Sequence, residues 1–248
     1  MIKIQRISAP IELTPKVVHD KTALFKADRS KNVWKEPYIE SRLMEMTHGK
    51  CCYCECKLGE ASNYMEVEHY HHKDAYPDEV VFWDNLLPAC RACNGSKGAH
   101  DTVAEPIIKP TDDEPKDHFR FRDFRYKWKT DMGKETVILL HLNDTEKRCN
   151  PRFRICSELN SKVEDFLEDV KMITPASQTR EKNRMINKVR ELLELCQCDM
   201  EYTAIKATTM VNNDDYAALV AEMRARSLWT PDLAQLDAQM RKYALDRV

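Results

Sequence analysis

Two Cys-x-x-Cys pairs constrain the fold of this chain more than any other feature: Cys51 with Cys54, and Cys90 with Cys93. Zinc binds four ligands in a tetrahedron, and the two-residue spacing lets two thiolates reach one ion from a single turn. Two such pairs complete a four-cysteine site that has no open position. The spacing therefore predicts a structural Zn²⁺ ion that fixes the surrounding chain.

The remaining cysteines leave alternatives open. Cys52 and Cys56 crowd the first pair and are alternative zinc ligands, although the matching spacing favours the two pairs named above. Cys196 and Cys198 have no second pair with which to bind a metal, so we interpret them as core residues within a helix.

The length of the chain bears on its redox state. Ten cysteines in a short secreted domain would indicate disulfide bonds, but this chain has 248 residues and begins without the apolar segment of a signal peptide. It also lacks a run of about 18 apolar residues, so we expect no membrane span. We therefore expect reduced, metal-binding thiolates in a cytoplasmic protein.

Composition favours helix over sheet, because 32% of the residues are charged and only 5 are glycine. We predict an α+β protein that is mainly helical. Three prolines and an acidic cluster in 104–117 predict a linker between a first domain over 1–110 and a second over 111–248.

The region 51–110 holds 5 basic and 10 acidic residues, a local charge of −5. If this region acts on a polyanion, cations must offset that charge.

Thirty-five residues separate Cys54 from Cys90, which is longer than a zinc ribbon requires, so another element is inserted between the pairs. A helix over 37–46 is predicted to lead into the first pair. Alternation over 64–70 predicts a strand with its glutamates on the open side. The apolar residues 85–90 are predicted to begin a helix that continues to Lys97.

Outside residues 37–97 the sequence patterns that predict secondary structure are weaker. Residues 1–35 are mixed, and Pro10 and Pro15 are predicted to break any long element. Aromatic and basic residues alternate over 119–129, with a slip at 123–124 that predicts a β-bulge and a hairpin to a second strand over 136–140. This stretch is either a nucleic-acid surface or an ordinary half-buried strand. Further helices are expected to start at Asn150-Pro151, Thr174-Pro175 and Thr230-Pro231, with one more around Tyr216.

Three motifs follow one another between residues 49 and 97: Gly-Lys-Cys-x-Tyr-Cys-Glu, then Glu-His, then Trp-x-Asn-Leu-Leu-x-Ala-Cys-x-x-Cys-Asn-x-x-Lys. Together they resemble an HNH endonuclease, and more narrowly the HNH subunit of Septu-type bacterial anti-phage systems, which also occurs as a retron effector. The resemblance runs from about residue 39 to residue 110. It implies a zinc-stapled ββα-metal core with an N-terminal helix and a helical C-terminal half.

The resemblance also implies roles for five residues. His69 matches the general base, and Glu68 and Asn94 match the ligands of a catalytic Mg²⁺ or Mn²⁺ ion. Asn85 matches the residue that holds the loop and orients the base. Lys97 is expected to contact the scissile phosphate. Glu68 stands where aspartate is common in the family.

The expected substrate is DNA, with RNA as the alternative, and the expected partner is an ATPase subunit of the ABC/SMC-like type that docks on the helical C-terminal half. His71-His72-Lys73 stands where members of this subgroup often carry an Arg-Pro-Lys run. An alternative function of a different class is a zinc-knuckle module that binds nucleic acid or protein without cutting it.

Overall fold

A computed structural model describes residues 1–59 and 63–247 of the chain. The chain divides into two compact units. The first comprises Lys3–His118 and Trp128–Leu142, and the second comprises Phe119–Lys127 and 143–247. The predicted linker over 104–117 therefore lies inside the first unit. Ile107 and Ile108 are buried there.

The first unit is mixed, with helices around a small sheet. Its elements in chain order are α1 (Pro15–Ala27), α2 (Pro37–Met46), β1 (Met65–His69), β2 (Leu86–Cys90), α3 (Arg91–Lys97), α4 (Pro115–His118) and α5 (Asp131–Leu139). The prediction that Pro15 breaks any long element was wrong, because Pro15 starts the 13-residue helix α1. Proline fits the first turn of a helix, where its missing N–H is not needed, and the Thr14 hydroxyl accepts a hydrogen bond from the Val17 N–H.

Helix α2 has the predicted bounds, and its apolar face is buried through Ile39, Leu43 and Met46. His48 and Gly49 end it in the left-handed conformation, with φ of 53° and 71°. The Gly49 N–H then donates to the Met44 carbonyl at 2.8 Å, as a helix C-cap requires. This turn delivers the chain directly into the first cysteine pair.

Strands β1 and β2 form an antiparallel pair in which Glu68 lies opposite Leu87 and His69 opposite Leu86. The prediction that 85–90 begins a helix was wrong, since β2 is a strand and α3 begins only at Arg91. All five residues of β2 are buried. A short apolar run is typical of a strand buried on both faces as well as of a helix, and periodicity alone does not separate the two.

The aromatic and basic stretch forms a hairpin within itself, from β3 (Phe119–Arg122) and β4 (Arg125–Trp128). Asp123 and Phe124 have φ of 50° and 61°, so they form the tight turn of the hairpin and not the predicted bulge. The predicted second strand over 136–140 is instead the end of α5 and its cap residue, Leu140. Phe119 and Tyr126 are buried with ring centroids 5.0 Å apart. These rings pack inward, as in a half-buried strand.

The second unit is built on helices, and a two-residue strand, β5 (Asp246–Arg247), pairs parallel to β3. Its helices are α6 (Asn150–Lys171), α7 (Thr179–Glu194), α8 (Thr203–Val211), α9 (Asp214–Ala225) and α10 (Pro231–Tyr243). The starts predicted at Asn150 and Thr230 are confirmed, with Thr230 as the cap of α10. The start predicted at Thr174 was wrong, because Gln178 and Glu181 cap α7 several residues later.

The core of the second unit lies between these helices and includes Cys196. The prediction that Cys196 and Cys198 lie within a helix was wrong, since both follow the end of α7. Helix α8 was not predicted from sequence. Most of its residues are buried, so it lacks the polar face that makes a helix recognisable. Among the described residues, no helix combines the length and apolar character needed to cross a membrane.

Candidate metal centre and adjoining cleft

The four cysteines predicted as zinc ligands converge on one point. The Sγ atoms of Cys51, Cys54, Cys90 and Cys93 all lie within 4.8 Å of one another, and all four residues are buried. The Cys54 and Cys90 Sγ atoms are 3.8 Å apart. Zinc–sulfur bonds of about 2.3 Å in a tetrahedron give sulfur–sulfur edges of about 3.8 Å. The cluster therefore fits a metal ion such as zinc.

Backbone hydrogen bonds set this geometry. The Cys52 N–H donates to the Pro88 carbonyl at 2.9 Å, which attaches the first cysteine turn to β2. In the second turn the Cys93 N–H donates to the Cys90 sulfur at 3.5 Å as α3 begins. Cys52 and Cys56 are also buried. These hydrogen bonds are formed by the protein alone, so the two turns hold both cysteine pairs close together without a metal ion.

A cleft of about 600 Å³ lies beside β1 in the first unit. Three of the five residues predicted to act in catalysis line it, namely Glu68, His69 and Asn94. Further polar or aromatic residues share its wall: Asn32, Trp34, Lys35, Glu40, Glu66, His72 and Lys73. The cleft thus combines carboxylates, imidazoles, amides and two lysines.

His69 is held by two contacts. Its Nε2 lies 2.8 Å from the Val80 carbonyl oxygen, and its ring meets Trp34 edge-on with centroids 4.8 Å apart. A carbonyl only accepts hydrogen bonds, so Nε2 carries the proton and Nδ1 keeps the lone pair of the neutral ring. Burial lowers the pKa of His69 to about 4. The imidazole is therefore neutral at pH 7.

Glu68 lines the cleft but is buried, with a relative exposure of 2%, so its carboxylate is less open to solvent than the alternation of β1 predicts. Its Oε1 pairs with the Lys97 Nζ at 2.8 Å and accepts from the Tyr53 hydroxyl at 3.4 Å. Burial raises the pKa of Glu68 to about 7, against the opposing effect of Lys97. Tyr53 belongs to the first cysteine turn, so the metal site helps to position this carboxylate.

Lys97 is the last residue of α3 and is buried, with 2% exposure. Its Nζ donates to the His69 carbonyl at 2.8 Å and pairs with Glu68. The expected contact with a scissile phosphate does not fit this position, because a phosphate would have to break the buried pair to reach Nζ. Lys97 instead holds the end of β1 and neutralises Glu68.

Asn85 is buried and clamps the loop that follows β1. Its Oδ1 accepts from the His71 N–H at 2.7 Å, and its Nδ2 donates to the carbonyls of His71 and Glu79 at 3.0 and 3.3 Å. The Glu79 carbonyl is one residue away from the Val80 carbonyl that orients His69. Asn85 therefore has the geometry of a residue that fixes the loop and, through it, the imidazole.

Asn94 lies in the first turn of α3, directly after the last cysteine. Its Nδ2 donates to Glu66 Oε2 at 2.7 Å, which links α3 to β1 at the wall of the cleft. The sequence analysis gave no role to Glu66, and it also missed Trp34 and Lys73 as parts of the cleft. Alternation along β1 was the available signal for Glu66, because it puts Glu66 and Glu68 on one face.

The buried pair leads to a prediction about stability. We expect Lys97→Met to lower the free energy of unfolding by about 3 kcal/mol, because it leaves Glu68 buried without its counter-charge. Urea unfolding of the zinc-loaded protein measures the change in the free energy of unfolding. The double variant with Glu68→Gln is the matched control and is expected to recover part of the loss. A Lys97→Met protein as stable as the wild type would show that the pair contributes nothing.

The fold and the site define a mainly helical protein with a buried four-cysteine cluster that could hold a metal ion such as zinc, and with a polar cleft in the same unit. No protein-family model matches the chain. It is 38% identical over 240 residues to the Septu protein PtuB of Bacillus thuringiensis, covering 95% of this chain and 92% of that protein. The chain belongs to the Septu PtuB family. A second PtuB, from Bacillus mycoides strain KBAB4, is 23% identical over 254 residues, covering 82% of this chain and 84% of that protein.

Proposed function

We propose that this protein is a metal-dependent endonuclease of the HNH kind, which hydrolyses phosphodiester bonds of nucleic acid, with DNA as the expected substrate. The observation that supports this most is the neutral, oriented imidazole of His69 in one cleft with Asn94 and the carboxylate of Glu68. The strand–strand–helix order of β1, β2 and α3 also supports the proposal, because the family resemblance implies a ββα-metal core.

His69 acts as the general base in this proposal. Its Nε2–H is held by the Val80 carbonyl, so the lone pair on Nδ1 is the group that accepts a proton from the attacking water. The Trp34 contact limits rotation of the ring. A base with a fixed tautomer and orientation does not have to be reordered when the substrate arrives.

The cleft has suitable donors for Mg²⁺ or Mn²⁺, which prefer oxygen ligands. Glu68 bonds to Lys97 and Tyr53 through Oε1, which leaves Oε2 for an ion. Asn94 donates through Nδ2, which leaves Oδ1. When bound, a divalent ion supplies positive charge that stabilises the negative charge growing on the phosphate. The donor set therefore fits the catalytic ion that the family resemblance implies.

Lys73 is the better placed cation for the phosphate backbone, since Lys97 is buried. It lines the cleft, and its Nζ lies 5.5 Å from the centre of the Trp34 ring. We expect Lys73→Ala to weaken binding to duplex DNA several-fold and to reduce the salt slope by about one. The measurement is fluorescence anisotropy in the His69→Ala background, where cutting is blocked. Lys16→Ala, in exposed α1, is the control, and an equal effect of both substitutions would contradict the role of Lys73.

Within the cell, we propose that the nuclease is the effector subunit of a bacterial anti-phage defence complex. Its partner is an ATPase of the ABC/SMC-like type, PtuA, and the helical second unit is the docking surface for it. Membership of the Septu PtuB family supports this assignment.

The test is cleavage of DNA and RNA by the protein alone and with its ATPase partner, with Mg²⁺ or Mn²⁺ and after chelation. Zinc content is measured after chelation, so that loss of the structural ion is not mistaken for loss of the catalytic one. We expect cleavage that needs added metal and fails in His69→Ala. Binding without cleavage under every metal, with the partner present, would favour the non-catalytic binding module instead.

A further inference from the structure

The hydrogen bond between Asn94 and Glu66 joins two elements at the cleft. Asn94 lies in α3 and Glu66 in β1, 28 residues apart in the chain, and both line the cleft. The Nδ2–Oε2 distance of 2.7 Å is that of a charge-assisted hydrogen bond. None of the roles proposed above uses Glu66.

An asparagine amide has two chemically opposite ends. Only the oxygen binds a hard cation, whereas the NH₂ group presents partial positive charge to it. A carboxylate only accepts hydrogen bonds, so Glu66 selects the NH₂ end of Asn94. Because the two ends of the amide point in different directions, this contact turns Oδ1 away from Glu66.

We infer that Glu66 is a positioning residue that fixes the amide of Asn94 with its oxygen available to the catalytic ion. This inference rests on the proposed function, since it assigns a task to Glu66 in the same site. Glu68, on the same face of β1, has a different partner, because its Oε1 is bonded to Lys97. The two glutamates therefore have separate tasks, one as a ligand and one as the residue that orients a ligand.

The test is a four-protein cycle: wild type, Glu66→Gln, Asn94→Asp and the double variant. Asn94→Asp puts two carboxylates against each other and repels the new ligand from its place. Adding Glu66→Gln restores a hydrogen bond, in which the introduced glutamine donates and the introduced aspartate accepts, and returns the total charge to that of the wild type. Mn²⁺ affinity of the zinc-loaded full chain is measured by calorimetry without substrate. Zinc content and thermal unfolding confirm that all four proteins fold.

We expect Glu66→Gln to have effects of opposite sign in the two backgrounds. It should weaken Mn²⁺ binding by about twofold when Asn94 is present, because glutamine can also pair with the amide in the reversed orientation. It should strengthen binding by about tenfold in the Asn94→Asp background, within the range measured for residues that orient metal ligands. The same fold-change in both backgrounds would overturn the inference, because Glu66 would then act independently of Asn94.

The outcomes also separate this inference from the proposed function. If no variant or wild-type protein cuts nucleic acid but the sign change in Mn²⁺ affinity is found, the nuclease proposal fails and the role of Glu66 stands. If the wild type cuts and the sign change is missing, only the role of Glu66 fails. A wild type without saturable Mn²⁺ binding overturns the inference as well.

Discussion

Cys54→Ser is expected to abolish zinc retention and to unfold or aggregate the first unit. Structural zinc sites contribute about 10–16 kcal/mol of binding free energy, which exceeds the stability of many whole domains. The elements around the site are short, since β1 and β2 have five residues each. The first cysteine turn also carries Tyr53, which bonds to Glu68. Loss of the ion therefore removes support from the cleft as well as from the fold.

Zinc stoichiometry and thermal unfolding of the purified protein check this prediction. Cys198→Ser is the matched control, because Cys198 lies in the second unit and outside the four-cysteine cluster. It is expected to keep the zinc content and melting temperature of the wild type. If Cys54→Ser also kept them, the four cysteines would not form the structural metal site that the fold requires.

His69→Ala is expected to leave the protein folded and zinc-loaded while reducing cleavage by about 10³-fold. A positioned general base contributes about 10²–10⁴-fold to the rate of hydrolysis, and no other described imidazole in the cleft shares its hydrogen bond to Val80. His19→Ala is the control, because it removes an exposed histidine of α1 and tests whether the loss of any histidine reduces cleavage. Cleavage within a few-fold of the wild type would remove His69 from the mechanism.

Burial of His69 also predicts a dependence of stability on pH. The pKa of His69 in the folded protein is about 4, below the ordinary value of 6.5. The unfolded chain therefore takes up a proton more readily as the pH falls from 6.5 towards 4, and this residue then opposes folding. Above pH 6.5 the effect is absent. The His69→Ala variant should lose less stability than the wild type between these pH values, which denaturant titrations at several pH values measure.

Residue identity and spacing were enough to predict which side chains form the metal cluster. The four cysteines converge as their spacing predicts, and Glu68, His69 and Asn94 line one cleft. The helix over 37–46 was also predictable, because its apolar face has a clear period. These predictions depend on residue identity and spacing, which can be read directly from the sequence.

The failures have a common cause, which is that burial depends on tertiary neighbours. Lys97 was expected to contact the scissile phosphate, yet it is buried and paired with Glu68, 29 residues away in the chain. The run 85–90 is a strand because β1 pairs with it, and its own composition also fits a helix. Glu66 received no task because its hydrogen bond to Asn94 depends on how α3 meets β1.

A division of roles is expected between the four-cysteine site, which is structural, and the proposed Mg²⁺ or Mn²⁺ site of the cleft, which is catalytic. Zinc content and metal-dependent cleavage, measured in the same samples with the ATPase partner present, test it most directly. Cys54→Ser is predicted to lose both properties, whereas His69→Ala is predicted to keep full zinc content and lose cleavage. An active His69→Ala protein, or a Cys54→Ser protein with normal zinc content, would contradict this division.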